Sequence, residues 1–559
     1  MAAPEGPSHM ADSHPPTLTV HPSAPAPDGA TRREFIATGA IAAAAFMIVP
    51  RHVLGRGQTP PSDTLNIAVV GINGMGASNA QAVMSQNIVA ICDVDDRLVE
   101  DRLEDWRQSL RPRPPAPPPA PRASVNAPPP PPTLDWETFG PSTLQRAANE
   151  RWRPMPTADA VRRFVDEQLP RLKRHHDYRE MLAAQKDIDA VIIATPDHMH
   201  APIASAAMAA GKHVYVQKPM CWSVSEARHL ARLADANPKL VTQMGNQGHS
   251  YDDARRGQDY LASGVIGDVT DVHVWTNRPL GYWPQGIPRP AKFDGDWKKL
   301  GWANAGISRR LADAFMKKVK TGVPKGLHWD LFLGAAPDVE YHPIYHPFNW
   351  RGWVDWGQGA LGDMGAHLMD HPVWGLKLGH PTTIETLSTP YNGVSYPNAT
   401  TAHYHFAARD GMPPVKLTWY DGGFMPERPG ELGEVPLDKG SGGVLYVGTK
   451  GKMLQDNTGS RPRLLPVELH NSFGPPPERM PRVPNQAHEM NWVNAIKGTD
   501  TISCPFSYAA RLTEIMLLGV AALRSGTRLQ YDGPNMRVTN SVAANSFFTR
   551  DYRKGFGLA

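Results

Sequence analysis

Apolar positions in the first half of the chain fall into short β-branched runs separated by stretches of helical spacing. Leu65–Val70 reads as a strand ending at a glycine turn, a helix follows from about Gly76 to Gln86, and Ile88–Cys92 reads as a second strand reaching Asp93. Strand, turn, helix and strand in that order open a doubly wound parallel sheet. The same alternation resumes with strands at Ala190–Thr195, His213–Val216 and Leu240–Gln243 around helices at Ile203–Ala210 and Val224–Ala234. After about residue 250 the pattern changes. Val269–Thr276, Thr401–Ala407, Val415–Tyr420 and Gly443–Val447 are β-rich segments separated by long loops, which predicts an antiparallel sheet, and Tyr508–Arg524 is a strong helical pattern. The fold class expected is α/β, with a doubly wound N-terminal domain at 63–250, an α+β domain at 251–530 and a C-terminal tail at 531–559.

The first domain is interrupted. Between Arg111 and Pro132, 12 of 22 residues are proline, which no sheet or regular helix accommodates. Residues 107–174 are therefore expected to form an extended, partly disordered insertion. Residues 1–62 read as leader and linker: Thr31-Arg32-Arg33-Glu34-Phe35-Ile36 has the form of a twin-arginine export motif, and the Ala-rich run Ile36–Val49 is short for a membrane span. An exported, periplasmic protein is expected, with a retained anchor as the alternative.

Composition narrows the chemistry. A chain of 559 residues with 41% hydrophobic residues can build two cores. Its net charge of +4 is too small for a nucleic-acid-binding surface. Three scattered cysteines (Cys92, Cys221 and Cys504) form no CxxC pair and point to neither a disulfide framework nor a structural zinc site.

Candidate chemistry starts at Gly71-Ile72-Asn73-Gly74-Met75-Gly76. This dinucleotide fingerprint departs from G-x-G-x-x-G at Asn73, and Gly74 restores part of the lost room. Asp93, at the end of the second strand, would bond the ribose hydroxyls and repel a 2′-phosphate, which favours NAD over NADP. Thr195-Pro196-Asp197-His198-Met199-His200 and Val216-Gln217-Lys218-Pro219 end two further strands at the sheet's carboxyl edge, where open α/β folds bind ligands. The two histidines around Asp197 lack the helical spacing of a metal site, so no metal is expected. Asp363 and His367, in Gly362-Asp363-Met364-Gly365-Ala366-His367, share one helix face. A helix-start Asp beside an ordinary polar His is the bland alternative, and an Asp363–His367–His371 metal face is another.

Together these residues resemble the Gfo/Idh/MocA oxidoreductase family over about 63–530, outside the proline-rich segment. The resemblance implies a second domain built on an open antiparallel sheet, a homo-oligomer, and cofactor contacts from Gly71, Asn73, Gly74, Met75, Gly76, Asp93, Thr195, Pro196, His200, Gln217 and Lys218. It further implies catalysis by Lys218, from a motif in which Gln217 stands where the family has Glu, together with Asp363 and His367. Trp275-Thr276-Asn277-Arg278-Pro279, Trp329–Gly334 and Asn349–Trp353 look like segments of its exported members, and rings interleaved with Arg and Asn suit a carbohydrate. Such tryptophans serve equally well as core.

The reaction expected is hydride transfer to or from a sugar or polyol. His367 would be the base, Lys218 would hold the hydroxyl, and Asp363 would orient the pair. An exported enzyme meets no evident NAD pool, so a bound cofactor must end each turnover in its starting state. That favours a redox-neutral reaction. The alternatives are a dehydrogenase with exchangeable NAD, an NAD-dependent glycoside hydrolase working through a keto intermediate, and a protein that holds NAD and senses a sugar without turnover.

Overall fold

Why the first sheet forms where it does is clear from burial. In the computed structural model, which describes residues 64–111, 156–290, 322–438 and 442–559, strand interiors such as Ile67–Val69 and Ala190–Ile193 are wholly shielded from water. Both faces of the sheet are therefore covered, as continuous apolar runs require. The chain runs β1 (Asn66–Val70), α1 (Met75–Ala82), β2 (Asn87–Cys92), α2 (Asp96–Ser109), β3 (Lys173–His175), β4 (Ala190–Ile193), α3 (His200–Ala209), β5 (His213–Gln217), α4 (Val224–Ala236) and β6 (Thr242–Gly245). The strands pair in the order β3-β2-β1-β4-β5-β6, every pair parallel. The order reverses beside β1, the position at which such sheets open a ligand crevice.

The expected leader and export motif lie outside the described residues, as does most of the proline-rich segment. Its expected bounds of 107–174 are too wide. Helix α2 continues through Arg107 to Ser109, because Val99, Leu103 and Trp106 recur on one buried face. At the other end, Phe164 packs edge-on against Trp106 at 5.1 Å, and Lys173–His175 supplies the edge strand β3. Helix α1 is shorter than expected and ends at Ala82.

The second sheet comprises β7 (Val269–Trp275), β8 (Thr383–Ser388), β9 (Thr400–Phe406), β10 (Val415–Tyr420), β11 (Gly443–Gly448), β12 (Lys452–Asp456), β13 (Arg463–Leu465), β14 (Leu529–Asp532) and β15 (Arg537–Val538). Its order is β13-β12-β11-β7-β10-β9-β8-β14-β15. It is antiparallel except where β7 and β10 pair in parallel. Strand β9 alternates strictly between buried and half-buried residues, so one face of the sheet is core. That face receives α7 (Phe506–Ser525), whose Gly519 carbonyl accepts a hydrogen bond from the Thr386 hydroxyl at 2.8 Å. Helix α7 is the one described helix long and apolar enough to cross a membrane, and 83% of its apolar window is buried within the protein. The helix α5 (Gly359–Leu368), which carries Asp363 and His367, packs on α7.

The C-terminal residues return to the first domain rather than trailing from the second. Trp492, on α6 (His488–Ile496), joins the core beneath β1 and β4. Phe556 is buried under the Arg179 guanidinium at 4.1 Å, and the Ala559 N–H donates to the Ser205 hydroxyl at 3.1 Å. The expected C-terminal tail at 531–559 is thus a clamp that includes strand β15.

Candidate functional site

The glycine turn after β1 is set by close approaches. Gly71 has φ +82°, and a Cβ there would lie 2.8 Å from the Ala194 carbonyl oxygen. A Cβ on Gly76 would lie 1.8 Å from the Gly71 oxygen, which closes the turn onto α1. Gly74 differs: φ is +56°, but nothing lies within 4 Å of the place its Cβ would take. That empty space belongs to a 640 Å³ cavity at the carboxyl edge of the first sheet, lined also by Asn73, Asp93, Thr195, Gln217 and Lys218. Asn73, the departure from the fingerprint, is turned toward α2, where Arg102 donates to its side-chain oxygen at 3.3 Å.

Two features of this end fit a dinucleotide. Gly74 leaves the first turn of α1 uncovered, where backbone N–H groups receive a diphosphate. The Thr195 hydroxyl is buried without a hydrogen-bond partner at the end of β4, and a buried polar group in that state is completed by a ligand or water. Asp93 accepts from the Ile72 N–H at 2.8 Å and the Asp95 N–H at 3.0 Å. Burial raises its pKa despite those bonds.

Gly76 and His200 do not line the cavity. Gly76 is packed beneath the turn. The His200 ring is buried, and its two nitrogens lie 2.7 Å from the Pro219 oxygen and 2.8 Å from the Thr195 oxygen. It ties together the two loops that do line the cavity, which corrects its expected role as a direct cofactor contact. Gln217 donates to the Asn79 side-chain oxygen at 2.8 Å.

The opposite wall comes from the second domain. The Lys218 ammonium reaches across to α5, 2.8 Å from Asp363 Oδ1 and 3.0 Å from the Asp363 backbone oxygen. Arg351 Nε lies 3.4 Å from the same carboxylate oxygen. Burial would raise the Asp363 pKa, but Lys218 and Arg351 hold it well below the ordinary carboxylate range. His367 lines the cavity one turn along α5, and its Nδ1 lies 3.1 Å from the Asn246 side-chain oxygen. With an amide oxygen as acceptor, this contact favours the tautomer in which Nδ1 carries the proton and Nε2 keeps its lone pair. Burial lowers the His367 pKa to about 3, with the Lys218 charge acting in the same direction. The expectation that Asp363 orients His367 is therefore corrected: Asn246 holds the imidazole, and Asp363 holds the lysine.

Sequence reasoning passed over three residues here. Asn246 follows β6 with no motif to mark it. Arg351 was noted only as part of an aromatic stretch. Asp197 lies in the Thr195–His200 turn and lines the cavity, and burial pushes its pKa up to about 8 against the opposing pull of Arg351. The aromatic segments divide. Trp350 and Trp283 line the cavity, whereas Trp275 and Trp353 do not; Trp353 is fully buried in the hydrophobic cluster that Trp350 itself joins. His371 has no exposed surface and joins no metal-type grouping. The one such grouping among the described residues is the more exposed Asp96, His176 and His328.

A six-stranded parallel sheet with a glycine turn at its switch point, joined across the cavity to a second domain by a lysine–carboxylate pair, defines a two-domain α/β protein with a doubly wound first sheet. Family comparison makes this specific. Residues 156–244 match the model described as oxidoreductase family, NAD-binding Rossmann fold, and residues 308–385 match oxidoreductase family, C-terminal alpha/beta domain. A segment of each domain thus matches a model of the Gfo/Idh/MocA oxidoreductase family.

Among curated relatives, the uncharacterized oxidoreductase YdgJ of Escherichia coli (strain K12) is 32% identical over 163 residues, 28% of this chain and 44% of that protein. A glycosyl hydrolase family 109 protein of Shewanella amazonensis is 39% identical over 72 residues, 13% of this chain and 16% of that protein. The chain thus matches less than half the length of either relative. Solved structures similar to it include the aldose-aldose oxidoreductase of Caulobacter crescentus complexed with glycerol, at 11% identity and TM-score 0.46, covering 84% of this chain and 100% of that one. The WlbA dehydrogenase of Bordetella pertussis, in complex with NADH and UDP-GlcNAcA, is 13% identical with TM-score 0.46, covering 84% and 99%.

Proposed function

We propose that this protein is an NAD-dependent oxidoreductase that moves a hydride to or from a carbon of a sugar or polyol. The observation that carries the reading is the 2.8 Å contact between Lys218 and Asp363 inside the cavity that also contains the glycine turn. Nicotinamide, when bound, supplies the hydride acceptor or donor. Gly74 and the α1 N-terminus would take the diphosphate, Asp93 the ribose hydroxyls, and Thr195 and Lys218 the nicotinamide end. The Lys218 ammonium, fixed by Asp363, holds the substrate hydroxyl and stabilises charge developing on its oxygen. The unprotonated Nε2 of His367 receives the hydroxyl proton.

Export through the Thr31–Ile36 motif is part of the proposal, and it makes a retained cofactor and a redox-neutral turnover the preferred mode. Denaturing the purified protein and identifying the released dinucleotide by mass tests the cofactor. The absorbance change of that cofactor on adding sugar tests the reaction. Release of a dinucleotide other than NAD, or no spectral response to any sugar or polyol, would refute the reading. The similarity to a glycosyl hydrolase family 109 protein favours one second reading, glycoside cleavage through a keto intermediate. Aglycone release from nitrophenyl glycosides, dependent on bound NAD, separates the two.

A further inference from the structure

We propose that the substrate is an anionic sugar whose charged substituent is recognised by Arg278; this rests on the reading of the cavity as a sugar-oxidising site. Three side-chain cations line the cavity among the described residues: Lys218, Arg278 and Arg351. Four carboxyls do so, and three of them are already committed or discharged. Asp93 is held by two backbone N–H groups. Asp177 accepts from Arg179, which lies outside the cavity lining. Asp197 is buried, with its pKa raised to about 8, so it is largely uncharged at neutral pH. Asp363 alone remains, and it serves both Lys218 and Arg351.

Arg278 has no carboxylate partner among the described residues; its one side-chain hydrogen bond runs to the Asn277 side-chain oxygen at 3.2 Å. It is nevertheless placed. The Gly422 N–H donates to its backbone oxygen at 2.7 Å, and its guanidinium lies over the Tyr282 ring at 3.1 Å from the centroid. That ring belongs to the substrate wall. Tyr282 adjoins Trp283, Trp283 lies 6.4 Å from Phe348, and Phe348 lies under Arg351 at 4.3 Å. Arg351 in turn touches Asp363, the partner of Lys218. An aromatic wall thus runs from the reacting end to a guanidinium that has no counter-ion among the described residues. Flat rings take a sugar's C–H face, and a guanidinium fork binds carboxylate or phosphate through paired N–H groups.

The test follows the absorbance of the bound cofactor with matched substrates: galactose against galacturonate, glucose against glucuronate, and glucose against glucose 6-phosphate. Wild-type protein should prefer one anionic member at least tenfold in kcat/KM, the uronate arm reporting a carboxylate and the phosphate arm a phosphoryl group. Arg278→Gln should reduce that preference at least tenfold, and Arg278→Lys should retain part of it. Retained dinucleotide and an unchanged melting temperature confirm that the variants are folded. Equal or better turnover of every neutral sugar, or a preference that survives Arg278→Gln in folded protein, would overturn the proposal while leaving the oxidoreductase reading in place. Absence of any response to all five compounds in protein that retains NAD would count against both, and nitrophenyl glycosides and polyols then decide whether the oxidoreductase reading stands alone.

Discussion

Replacing Gly74 and Gly76 separately by alanine divides ligand binding from folding within one turn. At Gly76 the new Cβ would meet the Gly71 oxygen at 1.8 Å and the Ala194 Cβ at 3.3 Å. Neither neighbour is the end of a flexible side chain, so the turn must open, at a cost of about 1–3 kcal/mol or more. At Gly74 the Cβ meets nothing within 4 Å, and only backbone strain at φ +56° opposes it, about 1–3 kcal/mol. The methyl group then occupies the space assigned to the diphosphate. Displacing one charge-assisted backbone hydrogen bond costs about 1.5–3 kcal/mol, or roughly 10- to 100-fold in affinity. The assay measures dinucleotide released on denaturation, NAD affinity by fluorescence titration, and the melting curve of each variant. Gly76→Ala should lose stability, and Gly74→Ala should stay folded while losing NAD. Wild-type NAD affinity in a folded Gly74→Ala variant would refute the assignment of this turn to the diphosphate.

Lys218→Met should keep its dinucleotide and lower turnover by about 10²-fold or more, the scale of one positioned proton-transfer or oxyanion group; a near-normal single-turnover rate would reduce Lys218 to an interdomain contact. Asp93→Ala should lose its preference for NAD over NADP, read as the ratio of their dissociation constants, because the carboxylate that repels a 2′-phosphate is gone. Asn246→Ala removes the oxygen that fixes the His367 tautomer and should reduce kcat about tenfold or more with dinucleotide content unchanged. Acid should destabilise the fold: burial lowers His198, His367 and His488 to about 3 and His200 and His371 to about 4, against about 6.5 when unfolded. The unfolded chain therefore binds more protons below about pH 6.5, and stability is lost as pH falls from there toward 4. Each such histidine contributes about 1.4 kcal/mol per pH unit, offset in part by Asp197, whose raised pKa acts in the opposite direction. Denaturation midpoints that stay flat between pH 6.5 and 5 would contradict this.

What the sequence revealed was local. A strand, a glycine turn and a helix are encoded locally, and so is the shared face of Asp363 and His367; periodicity and spacing place both, overrunning only the end of α1. Partnerships across long separations left no local trace. Asn246 and His367 are 121 residues apart, and Asp95 meets His346 across 251 residues at 2.9 Å. Neither pair follows a period. The role of His200 was misread for a related reason: its place in a turn at the sheet's edge predicts proximity to the ligand, but not whether the ring points into the cavity or behind it. The tryptophans show the same limit. Composition brings Trp275, Trp350 and Trp353 to notice equally, all three are buried, and only the packed structure shows that Trp350 alone among them reaches the cavity.

The geometry also has a reciprocal character that bears on how the site is assembled. Lys218 ends a strand of the first domain and is held by Asp363 of the second. His367 belongs to the second domain and is held by Asn246, which follows the last strand of the first. Each group assigned a chemical task is thus oriented by a residue of the other domain, and neither domain alone contains an ordered pair. The C-terminal return reinforces the docking: Glu489 accepts from the Asn79 side chain at 2.7 Å, behind the glycine turn. Variants that loosen this junction without touching the cavity should therefore weaken both halves of the chemistry together. Glu489→Ala removes the acceptor for Asn79 and leaves Gln217, bonded to the same asparagine, less constrained. It should reduce both dinucleotide retention and turnover, whereas Lys218→Met reduces turnover alone. If Glu489→Ala lowered stability but left NAD retention and single-turnover rates intact, the two domains would be positioning their residues independently, and the reciprocal arrangement would carry no functional weight.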